Sequence, residues 1–183
     1  MRIIAGECGG RRLFAPQGMS TRPTADRVKE ALFSVLTPQL TGARVLDMFA
    51  GSGALALEAL SRGARQAVLI DQDRRALAAI GRNVELCGMS ARVQIKKGTV
   101  PGVLTTLSGP FDLVFLDPPY CQGLVAVVEP ALLAADLLAP GATVVLETAA
   151  KSQETFSGAC WECRKQSRYG DTALLYYRLR QNL

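Results

Sequence analysis

From residue 44 onward, short apolar runs alternate with amphipathic segments in a regular rhythm. Runs at 44–47, 67–71, 91–96, 112–117 and 142–147 read as buried strands. Segments at 54–62, 73–87, 100–107 and 123–137 fit helices between them, with Gly63, Gly88, Gly109 and Gly141 marking ends or turns. The alternation predicts an α/β fold: a parallel sheet with helices on both faces. Near the C-terminus the rhythm changes. Stretches 161–168 and 172–180 read as two long strands joined by Tyr169-Gly170-Asp171, a closing antiparallel hairpin.

The first forty residues follow neither pattern. Short strand-like runs at 2–5 and 12–14 flank Gly6, Gly9 and Gly10, predicting a small hairpin that carries Arg11 and Arg12 and has too little apolar surface to stand alone. Thr24 is the expected N-cap of a helix in which Val28, Ala31, Leu32 and Val35 recur at helical spacing, and Thr37, Pro38 and the Gly42 region are expected to end it. The expected division is therefore an N-terminal hairpin and helix extension over 1–40 and a main domain over 41–183.

Composition narrows the class. A chain of 183 residues with 49% hydrophobic and 20% charged content is ordinary for a globular domain. No apolar run reaches the roughly 18 residues of a membrane span, and the first residues lack a signal-peptide core, so the expected location is cytoplasmic, without membrane contact. Five scattered cysteines argue against a disulfide framework. Cys160 and Cys163 form a Cys-x-x-Cys, but with no histidine and no second such pair, neither a redox nor a zinc role is favoured, and no metal is expected. The net charge of +5 is uneven: residues 1–44 hold seven Lys/Arg against three Asp/Glu, and the remainder 14 against 13. A basic segment of that kind suits a phosphate-rich partner, with Arg2, Arg11, Arg12, Arg22 and Arg27 as candidate contacts.

The candidate chemistry begins where the strand at Val45 and Leu46 ends on Asp47 and a turn carrying Gly51 and Gly53 leads into a helix. Strand, glycine turn and helix make a nucleotide-type pocket, in which glycine lets the backbone turn tightly and approach a ligand. Gly51 to Ala56 also fits the dinucleotide pattern G-x-G-x-x-G/A, and Asp71 lies 20 residues beyond Gly51, where a ribose-binding acid is expected. NAD is thus one reading. Against it stands Asp47, whose carboxylate would repel a pyrophosphate but attract the cationic end of S-adenosylmethionine. Asp71 is the expected ribose ligand, while Asp73 is the better cap of the next helix.

A second signal, Asp117-Pro118-Pro119-Tyr120, follows the fourth strand of the main domain. Two prolines stiffen a segment that must hold groups against a substrate. Asp117 and the Pro118 carbonyl can accept the protons of an exocyclic base amine and aim its nitrogen, while Tyr120 offers a flat surface for the base.

With both signals placed, the chain resembles class I S-adenosylmethionine-dependent methyltransferases, and among them the RsmD family of 16S rRNA (guanine-N2)-methyltransferases. The resemblance runs nearly end to end. It rests on Arg2-Ile3-Ile4-Ala5-Gly6 with Gly10-Arg11-Arg12-Leu13, on Thr21-Arg22-Pro23-Thr24 with Asp26-Arg27-Val28-Lys29-Glu30, on the 47–55 loop with Glu58 to Ala64, on Asp117 to Tyr120, and on Tyr169 to Leu174. It implies a Rossmann-like seven-stranded, mostly parallel sheet with a reversed last strand, and a monomer acting on one guanine of 16S rRNA in the small ribosomal subunit. It further implies S-adenosyl-L-methionine contacts from Asp47, Phe49, Ala50, Gly51, Gly53 and Asp71, with Asp117, Pro118 and Tyr120 at the target amine. Two departures stand out: family members often carry Glu where this chain has Asp71, and Lys97-Gly98-Thr99 replaces the acid or amide often found after the third strand. Rival readings are adenine N6 methylation, an NAD-dependent oxidoreductase, and a cofactor-free RNA-binding module.

Overall fold

The computed structural model describes residues 1–16, 26–119 and 123–180. Seven strands form one sheet: β1 (Arg44–Asp47), β2 (Gln66–Asp71), β3 (Val93–Lys97), β4 (Phe111–Leu116), β5 (Leu138–Ala149), β6 (Trp161–Tyr169) and β7 (Thr172–Leu179). Their spatial order is β3-β2-β1-β4-β5-β7-β6. The first five are parallel, and β7 lies antiparallel to both β5 and β6. The expected mostly parallel sheet with a reversed last strand is what forms. Between β6 and β7, Gly170 (φ 59°) and Asp171 make a two-residue turn, and glycine is needed there because the first turn residue has positive φ.

Helices α1 (Asp26–Leu40), α2 (Ala54–Ser61) and α3 (Arg74–Leu86) bury Leu32, Phe33, Leu57, Leu60 and Ile80 on one face of the sheet. On the other face α4 (Leu124–Ala134) packs Val125, Val128 and Leu132 with Leu104 and the ring cluster of Phe156, Trp161 and Tyr177. The strands are apolar on both sides because both are covered.

Several expectations change. Residues 100–107 do not form an α-helix but a short 3-10 turn, Gly102–Thr106, in which the Thr105 and Thr106 hydroxyls donate to the carbonyls of Gly102 and Val103. Such local bonds compete with helical ones, and Leu104 is the turn's one fully buried residue. Helix α1 runs through Pro38 to Leu40, because burial of Leu36 and Leu40 outweighs one missing backbone bond, and the Thr37 hydroxyl donates to the Phe33 carbonyl at 2.8 Å. Strand β5 starts four residues early, absorbing Pro140 and Gly141 through a register shift opposite Phe111 and Leu113. Thr24 lies outside the described residues.

The N-terminal hairpin forms around the bridge of Arg2 with Arg12, with the Ile3 N–H donating to the Arg11 carbonyl at 2.9 Å, the Gly10 N–H to the Ile3 carbonyl at 2.8 Å and the Leu13 N–H to the Met1 carbonyl at 3.1 Å. Other backbone donors of the first strand turn to α2. The N–H groups of Ile4 and Ala5 donate to the Glu58 carboxylate at 2.7 and 3.0 Å, and that of Glu7 donates to the Ser61 carbonyl at 2.9 Å. Gly6 (φ 85°) passes so close to α2 that a Cβ would sit 1.8 Å from the Ser61 carbonyl oxygen. Glu58, wholly buried, also pairs with the buried ammonium of Lys29 at 3.2 Å and with Arg62 at 2.7 Å. Ile3, Cys8 and Leu13 thereby join the same core as α1 and α2.

Candidate functional site

The sheet places the two sequence signals side by side. From β1 the chain moves to β2 and β3 on one flank and returns to β4 and β5 on the other, so the order reverses between β1 and β4. Ligands of open α/β sheets lie outside the carboxyl ends of the strands at such a point. Asp47 ends β1, Asp117 follows β4, and the turn between Asp47 and α2 lies over these ends. Its Met48 N–H donates to the Phe115 carbonyl at 3.1 Å and its Ala50 N–H to the Ile70 carbonyl at 2.9 Å.

The two glycines of that turn differ in purpose. Gly53 (φ 78°) packs on the sheet, where a Cβ would meet the Leu69 side chain at 2.9 Å. Gly51 (φ 56°) faces open space, with nothing within 4 Å of where a Cβ would point. Only Gly51 therefore leaves room beside the loop for a ligand. Phe49 is half-buried and Ala50 buried, and both brace the turn against the core.

Asp71, at the end of β2, uses both carboxylate oxygens on backbone. One accepts from the Gly51 N–H at 2.9 Å, the other from the Asp73 N–H at 2.9 Å. Each oxygen keeps a second lone pair. Asp73 is the cap of α3, accepting from the Arg75 N–H at 2.6 Å.

Asp47 is 1% exposed, and its Oδ2 has no hydrogen-bond partner among the described residues. Burial pushes its pKa up to about 7; the N–H groups of Ala56 and Phe49 oppose that shift, and the charge of Asp71 adds to it. Part of Asp117 is open to solvent, but its carboxyl is desolvated and its pKa is raised well above the usual range, first by burial and then by the charges of Glu147 and Asp47. Glu147 is a member of this group that sequence reading missed. It follows Leu146 of β5, which is in register with Leu116 of β4, just as Asp117 follows Leu116. Three carboxyls thus interact on neighbouring strands, and a cationic ligand placed among them would favour their ionised forms.

Pro118 is buried beside Asp117, while Tyr120 lies outside the described residues. Among the candidate arginines, Arg2 is exposed and paired with Asp26 at 2.9 Å, and Arg11 donates to the Leu86 carbonyl. Arg12 and Arg27 are exposed, and Arg22 is outside the described residues. After β3, the Gly98 N–H donates to the Asp71 carbonyl at 3.1 Å, and a Cβ on Gly98 would strike Val103 at 2.8 Å. Cys160 and Cys163 are exposed free thiols, and no cluster of potential metal ligands occurs among the described residues. Two cavities, of about 180 and 260 Å³, open at the opposite end of the sheet beside Arg44 and Arg178, away from the carboxyl group cluster.

Known proteins share this fold. A family described as Conserved hypothetical protein 95, the RsmD family, matches residues 1–178. The chain belongs to the RsmD family. It is 35% identical over 177 residues to ribosomal RNA small subunit methyltransferase D of Escherichia coli strain K12, covering 97% of this chain and 89% of that protein. The yhhF structure from Escherichia coli superposes with a TM-score of 0.88 at 34% identity, covering 100% of this chain and 99% of that one. A ribosomal protein L11 methylase from Lactobacillus delbrueckii subsp. bulgaricus, 19% identical, shares the fold alone, at a TM-score of 0.66 over 82% of this chain and 77% of its own. The RsmD-family chain thus has the class I methyltransferase fold, and no described helix is long and apolar enough to cross a membrane.

Proposed function

We propose that this protein transfers a methyl group from S-adenosyl-L-methionine to the exocyclic N2 of a guanine in 16S rRNA of the small ribosomal subunit. The observation that carries the reading is the unpartnered, buried Oδ2 of Asp47 beside the desolvated carboxyl of Asp117, under a turn whose Gly51 faces open space. An acid of that kind is poorly placed for a pyrophosphate and well placed for a cation. The family membership and the name of the Escherichia coli relative support an RNA substrate.

When bound, S-adenosyl-L-methionine supplies an electrophilic methyl carbon on a sulfonium. Asp47 attracts the positive charge of the cofactor, Asp71 offers its free lone pairs to the ribose hydroxyls, and Phe49, Ala50, Gly51 and Gly53 form the cradle. Asp117 and the Pro118 carbonyl accept the amine protons of guanine and orient the nitrogen lone pair, with Tyr120 assigned to the base. Asp117 or water would take the one proton that N2 releases once it carries the methyl group. The raised pKa of Asp117 suits it as a proton acceptor. Positioning supplies most of the acceleration, and no metal takes part. Arg2, Arg11, Arg12, Arg22 and Arg27 form the proposed phosphate-binding surface of residues 1–40.

The test uses small-subunit particles from cells lacking the enzyme, labelled cofactor, and mapping of the labelled nucleotide. Label on guanine N2 supports the reading, whereas label on adenine N6 or none at all overturns it. Asp117→Ala should lower methylation by at least about 100-fold while keeping cofactor affinity within about twofold. Wild-type turnover in that variant would remove Asp117 from the mechanism.

A further inference from the structure

The ring of Phe14 has no part in the chemistry above, yet its placement is tightly specified. It is 52% exposed, which for a large apolar side chain needs a reason. The backbone beneath it is clamped. Its N–H donates to Asn83 Oδ1 at 2.8 Å, and its carbonyl accepts from Asn83 Nδ2 at 2.9 Å. Asn83 is fully buried in α3, and the second proton of the same amide goes to the Ser52 carbonyl in the glycine turn at 2.9 Å. One buried amide therefore fixes the base of an exposed ring relative to the loop assigned to the methyl donor. Exposed Arg11 and Arg12 precede the ring, and the Arg11 guanidinium is itself held on the Leu86 carbonyl at the end of α3.

We propose that Phe14 is a stacking platform for an unpaired RNA base near the target guanine, held in register with the cofactor turn by Asn83. The inference rests on the RNA reading given above and names the contact by which residues 1–16 recognise the strand. Unpaired bases stack on aromatic faces, and the neighbouring phosphates of the same strand find cations at Arg11 and Arg12. A clamped backbone removes the ordering cost that an exposed ring on a free loop would carry. Asn83 acts as a positioning residue, since it meets the ring's backbone and the turn and neither base nor cofactor.

The experiment compares wild type with Phe14→Ala, Phe14→Leu and Phe14→Trp, all of which leave the buried core intact. KM for unmethylated small-subunit particles, kcat and cofactor Kd are measured for each. Binding of a 16S fragment carrying 2-aminopurine next to the target guanine is followed by fluorescence. Phe14→Ala should raise KM for the particle between about fivefold and 150-fold, with cofactor Kd unchanged and the 2-aminopurine quench abolished. Phe14→Trp should keep both, and Phe14→Leu should restore neither. Wild-type KM in Phe14→Ala overturns the proposal, as does full rescue by Phe14→Leu, which would reduce the ring to apolar bulk. A matching drop in cofactor affinity also overturns it, making the ring a cofactor cover. If wild type itself methylates no RNA, the functional reading fails instead.

Discussion

At the scale of single residues, Asp47 carries the clearest thermodynamic signature. Its folded-state pKa of about 7 stands above the ordinary value of 3.8, so between these pH values the folded protein holds a proton that the unfolded chain has released. Stability from this group is complete below about pH 4 and declines as pH rises through about 7. Ionising Asp47 in the fold therefore carries a penalty on the order of 4 kcal/mol. Asp47→Asn should therefore stabilise the ligand-free protein in urea unfolding at pH 8 by an amount of that order, with the gain vanishing toward pH 4. The same variant should bind the cofactor at least about tenfold more weakly at pH 8. In wild type the cation favours the ionised carboxylate, so affinity should rise with pH up to about 7, and calorimetry in buffers of different ionisation enthalpy should record proton release at pH 6. Binding independent of pH would sever Asp47 from the cofactor.

At the scale of elements, α2 and the N-terminal arm are one construction. A helix reading Ala-Leu-Ala-Leu-Glu-Ala-Leu-Ser is buried nearly all round, and its single charge, Glu58, collects two backbone N–H groups, Lys29 and Arg62. Removing one partner of such a pair leaves the other desolvated, which costs about 3–5 kcal/mol. Glu58→Ala should lower the unfolding free energy by that amount. Glu58→Leu combined with Lys29→Met should recover much of it, because an apolar pair can replace a buried ion pair but not half of one. If the double variant were as unstable as the sum of the singles, the pair would not be coupled. Weakened RNA binding in Glu58→Ala would follow from release of the arm, since residues 4, 5 and 7 are anchored to α2.

At the scale of the whole molecule, the positive segment and the interacting carboxyls lie in different parts of the chain. The excess of basic residues lies in 1–44, and the acids that face one another lie at the strand ends, so a polyanion and a cationic cofactor can be drawn to separate places. Because Ile3, Cys8 and Leu13 belong to the core, substitution tests the proposed RNA surface more cleanly than deletion of the arm. Arg12→Ala with Arg27→Ala should weaken RNA binding and reduce the slope of log affinity against log salt by about 0.7–0.9 for each phosphate no longer neutralised. An unchanged slope would show that neither side chain meets a phosphate.

The fold class was legible in the sequence because strand and helix periods alternate from residue 44 onward and each apolar run is bounded by turn residues. The site was legible in outline because a glycine turn after one strand and Asp-Pro-Pro after another are local signals that need no knowledge of neighbours. What local pattern could not supply was who meets whom. Glu147 belongs to no sequence motif and joins Asp117 only because β5 pairs in register with β4; Asn83 reads as an ordinary helix residue until it bridges Phe14 and Ser52, 69 and 31 positions away. The expected hairpin forms, but what fixes it to the domain was not legible: its outward N–H groups are taken by Glu58, 54 and 53 positions away. Periodicity and turn chemistry are properties of neighbouring residues, so the chain alone determined its elements and the kinds of ligand they suit. Burial, charge coupling and the rivalry for hydrogen bonds arise between distant segments, and only the tertiary structure decided those.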